Sequence, residues 1–162
     1  MKKIVQQENP VLRATAEEVD ISSIIKPEVQ KIIKEMFESL EDQKDGVALA
    51  APQIAYSKRI FVISPQMLET KVSLPLVYIN PVIIKKSKDK KNMEEGCLSC
   101  RWWYGKTKRS SRATVRAYDE KGKEFEVEGR GLVAQIFQHE IDHLDGVLFV
   151  DHAKDLKEVE PE

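Results

Sequence analysis

The stretch QHEIDHL, residues 138–144, determines how the rest of the chain is interpreted. It lies inside a segment from about Gly131 to Asp145 whose spacing predicts a helix that is apolar on almost every side. The apolar residues are Leu132, Val133, Ile136, Phe137, Ile141 and Leu144. Such a helix is expected at the centre of a domain, so the polar residues of the stretch would be buried, where unpaired polar groups are costly.

His139 and His143 are four residues apart in this stretch. Their side chains therefore lie one above the other on the helix and can bind one metal ion. Glu140 is placed between them to act as a base on a water held by that ion. A helix with two histidines and no metal is the alternative, but we favour the metal because one ion would organise three polar groups that are otherwise costly to bury.

A hydrolytic metal site needs a third protein ligand. Downstream, Phe149 stands where one class of H-E-x-x-H protein has its third histidine, and His152 is expected to be an exposed residue at the end of a strand. The third ligand is therefore predicted upstream, in the stretch EGCLSC at residues 95–100, which offers the thiols of Cys97 and Cys100.

The two cysteines also permit a rival interpretation, a closed structural zinc site made by Cys97, Cys100, His139 and His143. Two features count against it. The cysteine pair and the histidine pair are separated by 38 residues, far more than in a zinc finger. A closed site would also leave Glu140 without a role.

A third stretch, GVALAAPQ at residues 46–53, combines small residues with one amide. Small residues allow the backbone to approach a ligand closely, and Gln53 could donate a hydrogen bond to a developing oxyanion. Taken alone, the stretch is more typical of a tightly packed loop that ends in a surface glutamine.

Length and composition describe one ordinary globular domain. The chain has 162 residues, 41% of them hydrophobic, with 26 basic and 27 acidic side chains. We therefore expect a single catalytic domain over residues 1–162, with a short acidic tail from about residue 153, and we exclude a disordered chain.

No apolar run approaches the ~20 residues that span a bilayer, and the first eight residues lack the apolar core of a secretory signal. Two neighbouring cysteines suit a reducing compartment, so we expect a cytoplasmic protein with no membrane contact and no specific DNA target.

Periodicity outside the three stretches predicts an α+β fold. Apolar residues from Val29 to Leu40 lie on one helical face, and Pro27 suits the first turn of that helix. Four β-like runs cover residues 59–64, 77–84, 113–118 and 124–128. The last two runs flank residues 119–122, which read as a hairpin turn.

Basic residues concentrate between Lys85 and Arg112, where ten basic side chains oppose three acidic ones. The cluster from Lys85 to Lys91 is typical of a solvated loop. An anionic partner such as RNA is the alternative. This region is therefore the candidate surface for such an anionic partner.

Together, the three stretches resemble the three signature motifs of the peptide deformylase family, in the family's order and at similar spacing. The opening NPVLR, residues 9–13, is also similar to the family, and the resemblance covers about residues 4–152. It implies antiparallel β-sheets around a central metal-binding helix. It also implies a metallohydrolase that removes the formyl group from the N-terminal formyl-methionine of nascent polypeptides and releases formate.

The resemblance further implies one divalent metal, with Cys97, His139 and His143 as its ligands and water in the fourth position. Ferrous iron is the most common ion in the family, and zinc, nickel or cobalt can substitute. Glu140 would carry the proton from the water to the leaving amine.

The remaining implied site residues bind the substrate. The Gln53 side chain and the Leu98 backbone N–H would hold the oxyanion, and the peptide would add as a strand along Gly46–Ala48. The substrate-binding residues implied in this way are Gly46, Val47, Ala48, Gly96 and Ile136, with Val47 and Ile136 as walls of the methionine pocket.

Among the departures from the family pattern, one position and one stretch bear on the cleft. Ala48 stands where glycine is usual, so we expect a tighter cleft. Cys100-Arg101-Trp102-Trp103-Tyr104 stands where an apolar residue and proline often follow the second motif. Trp102 and Trp103 are expected either to pack against a sheet or to line the peptide groove.

Overall fold

A computed structural model describes residues 1–70 and 73–161. Within these residues, the two α-helices are α1 (Pro27–Glu41) and α2 (Leu132–Leu144). The strands are β1 (Ala48–Ala50), β2 (Ile60–Ile63), β3 (Val77–Lys86), β4 (Lys90–Gly96), β5 (Trp103–Ser110), β6 (Arg112–Tyr118), β7 (Glu124–Arg130) and β8 (Lys154–Glu158).

The strands form two sheets in which every pair of named neighbours is antiparallel. A five-stranded sheet has the order β1-β2-β3-β6-β7, and a three-stranded sheet has the order β4-β5-β8. The chain leaves the large sheet after β3, makes the β4–β5 hairpin of the small sheet, and returns as β6. The α+β fold with antiparallel sheets is therefore confirmed.

Helix α2 packs its apolar face against the five-stranded sheet. Its Phe137 lies in one buried cluster with Phe61 of β2 and Tyr78 of β3, whose rings stack with centroids 4.4 Å apart. Gly129 of β7 permits this close packing, since a Cβ there would lie 2.5 Å from the Val133 side chain. The predicted central helix is confirmed, with its bounds one residue inside those expected at each end.

Helix α1 covers the opposite face of the same sheet. It begins at Pro27, and its buried stripe from Val29 to Leu40 packs with Ile60 and Val62 of β2. Phe61 and Ile63 of β2 face the cluster of α2 instead. Strand β2 is buried on both faces for this reason, and the amphipathic helix predicted from the sequence is confirmed.

The four predicted β-runs correspond to β2, β3, β6 and β7, and the hairpin turn lies where expected, with Gly122 at φ +83°. The lysines between Lys85 and Lys91 are exposed, as expected of a solvated cluster. They do not form a loop, however, because they lie at the end of β3, in the turn after it and in β4. The acidic segment after residue 153 likewise contains strand β8, whose residues are all exposed. Among the described helices, none combines the length and the apolar character needed to cross a bilayer.

Candidate active site

Cys97, His139 and His143 meet between the end of β4 and helix α2. Their ligand atoms all lie within 4.8 Å of one another, and Cys97 Sγ is 3.2 Å from His143 Nε2. Cys97 follows the last residue of β4, and both histidines project from α2. One thiolate and two imidazoles form a donor set suited to a divalent transition metal. Burial lowers the pKa of His143 well below its ordinary value, which leaves it in the neutral form that a metal requires.

Glu95 fixes the orientation of His139. Its Oε2 lies 2.6 Å from His139 Nδ1, which leaves His139 Nε2 free for a ligand. Arg109 holds the same carboxylate with Nε at 3.0 Å and Nη2 at 2.6 Å. Burial opposes the charge on Glu95, but the hydrogen bonds from His139 and Arg109 outweigh burial and hold its pKa well below the usual range. The site therefore contains an ionised carboxylate behind one candidate metal ligand.

Sequence reasoning did not single out Glu95 or Arg109. Thr107 Oγ1 and Gln135 Nε2 also donate to Glu95 Oε1, at 3.0 and 3.1 Å, and Arg109 Nη1 donates to Asp142 at 2.7 Å. A usable signal was present, because Gln135 and His139 are four residues apart on an otherwise apolar helix. Such spacing indicates a buried polar stripe that needs partners.

Glu140 is enclosed beside the candidate ligands. Its Oε2 is buried with no hydrogen-bond partner among the described residues, and its Oε1 is 4.0 Å from His139 Nε2. Burial raises the pKa of Glu140 to about 7. A carboxyl group with such a pKa can both accept and return a proton near neutral pH.

Gln53 presents its amide N–H groups toward Cys97. Its Oε1 accepts a hydrogen bond from the Ala50 N–H at 2.9 Å, which fixes the orientation of the amide. Its Nε2 then donates to Ser99 Oγ at 3.1 Å and lies 3.6 Å from Cys97 Sγ. The expectation of a surface glutamine is wrong, because Gln53 is 1% exposed.

A cavity of about 390 Å³ connects these groups to solvent. The predicted residues that line it are Gly46, Val47, Ala48, Gln53, Gly96, Cys97, Leu98, Ile136, His139 and Glu140. His143 completes the candidate metal group. The residues lining the cavity that no motif singled out include Asp45, Arg101, Tyr104, Leu132 and Gln135. Ala48 lies in β1, the edge strand of the large sheet, and no other described strand pairs with β1 on the side away from β2.

The rival positions lie outside the candidate metal group. Cys100 is buried in a cluster with Leu12 and Phe149, and Cys97 packs against the edge of that cluster. His152 is exposed and lies 3.8 Å from Asp142, as expected for a residue that is not a ligand.

Neither tryptophan takes the expected role of lining the peptide groove. Trp103 packs against the cluster around Cys100, and the Arg101 guanidinium stacks on the Trp102 ring at 4.3 Å. Neither tryptophan is among the residues that line the cavity, whereas Arg101 and Tyr104 are.

Comparisons with known proteins show similarity over nearly the whole chain. The sequence model of the family described as polypeptide deformylase matches residues 1–159. A peptide deformylase of Desulforudis audaxviator (strain MP104C) is 40% identical over 151 residues, which are 93% of this chain and 92% of that protein. The solved structure of a peptide deformylase from Legionella pneumophila has 39% identity and a TM-score of 0.84, over 96% of this chain and 87% of that one. A Met-Ala-Ser-bound class I type b peptide deformylase from Acinetobacter baumannii has 27% identity and a TM-score of 0.82, over 93% and 98% of the two chains.

Proposed function

The chain belongs to the polypeptide deformylase family, and we propose that its Cys97–His139–His143 group is the centre at which it performs the family's reaction. The protein is a hydrolase that removes the N-terminal formyl group from nascent peptides. The observation that carries the proposal is the convergence of the three ligand atoms within 4.8 Å of one another at the end of a cavity.

We propose ferrous iron as the ion held by Cys97, His139 and His143, with zinc, nickel and cobalt as substitutes. The donor set fits any of these ions, so availability decides among them. A bound divalent cation supplies positive charge that lowers the pKa of water and polarises a carbonyl group.

Glu140 is proposed to move the proton. Its unpartnered Oε2 would accept a proton from the attacking water and then deliver it to the amine that leaves. The products are formate and a free N-terminus. A pKa near 7 suits both transfers, since neither protonation state is strongly favoured.

Gln53 and Leu98 are proposed to stabilise the oxyanion. Gln53 Nε2 points toward Cys97 because its Oε1 is engaged by the Ala50 N–H. Within the described part of the chain, the Leu98 N–H donates to no other group. Two donors that are fixed before the substrate arrives are most effective where charge develops in the transition state.

The peptide is proposed to pair with the free edge of β1 along Gly46–Ala48, as an added strand. Ala48 is extended and pairs with Ile63 on its other side, so its methyl group does not prevent such pairing. The formylated methionine would enter the cavity between Val47 and Ile136, beside Gly96. The Met-Ala-Ser peptide in the related Acinetobacter structure supports a peptide of this kind as ligand.

The test combines metal analysis with turnover. Protein prepared without oxygen should contain about one iron per chain and release formate from a formyl-Met peptide. Exposure to air should abolish the activity of the iron form, whereas the zinc form should be unaffected. Turnover by metal-free protein would overturn the proposal.

We also propose a transient electrostatic contact with the ribosome through the exposed lysines between residues 85 and 112. Lys90, Lys106 and Lys108 are exposed on the β4–β5 hairpin, which gives a basic surface suited to RNA phosphates. Co-sedimentation with ribosomes should fall steeply with salt and weaken in Lys106→Glu/Lys108→Glu, but not in Lys31→Glu on α1. Because nascent chains and two free thiols both suit the cytoplasm, we propose that compartment.

A further inference from the structure

An ion pair joins the two walls of the cavity. Arg101 Nη1 and Nη2 donate to the two carboxylate oxygens of Asp45 at 2.7 and 2.9 Å, and Nη2 also donates to Gln43 Oε1 at 3.1 Å. Asp45 directly precedes Gly46, at the start of the segment proposed to pair with the peptide. Both Asp45 and Arg101 line the cavity. The pair thus spans 56 positions of sequence at the mouth of the site.

Arg101 is itself firmly attached to the turn that carries Cys97 and Leu98. Its guanidinium stacks on Trp102 at 4.3 Å, and its backbone N–H donates to Gln6 Oε1 at 3.1 Å. Gln6 Nε2 then donates to the Leu98 carbonyl at 3.0 Å. The arginine side chain is 17% exposed, against 54% for Asp45. Arg101 therefore belongs to the fixed wall, and Asp45 is the group that it holds.

The segment held in this way has little structure of its own. Helix α1 ends at Glu41 and β1 begins at Ala48, and β1 has only three residues. The segment also approaches the other wall closely, since a Cβ at Gly46 would lie 3.3 Å from a Leu98 side-chain carbon. A small displacement of Gly46 would therefore change the width of the cleft.

We propose that the Asp45–Arg101 ion pair positions the peptide-binding edge at Gly46–Ala48 relative to the oxyanion donors at Leu98 and Gln53. This inference rests on the proposed function. A peptide must pair with β1 while its formyl oxygen reaches those donors, so the two walls need a fixed separation. Three of the five N–H groups of the Arg101 guanidinium donate to Asp45 and Gln43, so we assign Arg101 a positioning role.

The test compares substrates of two lengths. Formyl-Met-Ala-Ser can pair along β1, whereas formyl-methionine amide has no residues beyond methionine to do so. Formate release, measured with a coupled formate dehydrogenase assay, gives kcat and KM for both substrates in Arg101→Met, Arg101→Lys and Asp45→Asn. Arg13→Met is the matched control, because Arg13 makes a bidentate ion pair with Asp151 outside the cavity.

Arg101→Met and Asp45→Asn should each lower kcat/KM for formyl-Met-Ala-Ser about five-fold, the magnitude of a favourable ion pair. Both constants for formyl-methionine amide should stay within about two-fold of the parent. The kcat/KM of Arg101→Lys should lie between the values of the parent and Arg101→Met, because lysine keeps the positive charge but lacks the planar guanidinium. The double variant should be no worse than either single one.

Two results would overturn the inference: equal losses on both substrates, or no change on either. Asp45→Asn is nearly isosteric and keeps the test valid if Arg101→Met folds poorly. The parent is assayed first on both substrates, so failure of the proposed function, which would show as no formate from either, is distinct from failure of the positioning role.

Discussion

Replacement of Glu95 by Gln tests the support of the proposed metal centre without changing a proposed ligand. Glu95 accepts from His139 Nδ1 at 2.6 Å and from Arg109 at 2.6 and 3.0 Å, and both Glu95 and Arg109 are buried. A glutamine of similar size removes the negative charge and turns an amide N–H₂ toward either His139 or Arg109. We expect weaker metal binding and a less stable protein.

The structure sets the magnitudes. Loss of one partner of a buried ion pair costs about 3–5 kcal/mol. Arg109 keeps its ion pair with Asp142, at 2.7 Å, in the variant. We therefore expect the free energy of unfolding to fall by the lower limit of this range, about 3 kcal/mol. For a chain of this size that free energy lowers Tm by about 6–12 °C. The change should also weaken metal affinity by about 10–100-fold, as for other partners of metal-ligating histidines.

Thermal melting of metal-free protein and metal titration with a competing chelator measure the two effects. The pKa of Glu95 is lowered in the folded protein. Its stabilisation is therefore complete above the pKa of about 4.3 of an unfolded glutamate, and the difference between parent and variant should shrink as pH falls below that value. Glu17→Gln is the control, because it breaks an exposed pair with Lys58 and should shift Tm by less than about 4 °C. Unchanged metal affinity in Glu95→Gln would refute the role assigned to the carboxylate.

Three further substitutions test the proposed chemistry. Glu140→Gln should keep metal and fold but lose about 10²–10⁴-fold or more in kcat; a metal-loaded variant with near-parental formate release would contradict the assignment. Gln53→Ala should lower kcat by about 10²–10³-fold, whereas a raised KM with unchanged kcat would make Gln53 a substrate-binding residue only. Cys97→Ser should lose or badly weaken metal binding, while Cys100→Ser should retain one metal per chain and most activity, as measured by metal analysis and melting. Equal loss in both cysteine variants would support the closed zinc site instead.

Local patterns predicted those parts of the molecule that a single segment determines. The four-residue spacing of His139 and His143 places both on one helical face in any context, and the stripe from Val29 to Leu40 predicts its own helix. The choice of Cys97 over Cys100 came from the family resemblance. In the structure Cys97, and not Cys100, lies in one group with the two histidines, and its role as a metal ligand stays a prediction.

The three-stranded sheet could not be predicted, because its inward face is not apolar. Strand β5 alternates between exposed and buried residues, but the buried ones include Thr107, Arg109 and Ser110. The alternation of apolar residues that indicates a strand is therefore missing from β5, and its sequence is typical of a basic loop instead. Strand β8 is exposed throughout and carries no alternation at all. The Asp45–Arg101 ion pair could not be predicted either, since no local pattern relates a loop after α1 to a turn 56 residues later.

The two faces of α2 explain why this polar sheet is nevertheless well placed. Toward the large sheet the helix is apolar, and apolar packing is not directional. Toward the small sheet it makes directional contacts: Gln138 exchanges two hydrogen bonds with the Ser110 backbone at 3.0 Å, and Asp142 receives Arg109 at 2.7 Å.

Hydrogen bonds of this kind set the position of one element relative to another within a few tenths of an ångström. Cys97 stands at the end of β4, and β4 is fixed to β5 along its whole length. The apolar face therefore stabilises the helix, while the polar face determines where the thiol meets the two histidines. It follows that a substitution on the polar face, such as Gln138→Leu, should disturb metal binding far more than its effect on packing alone would indicate.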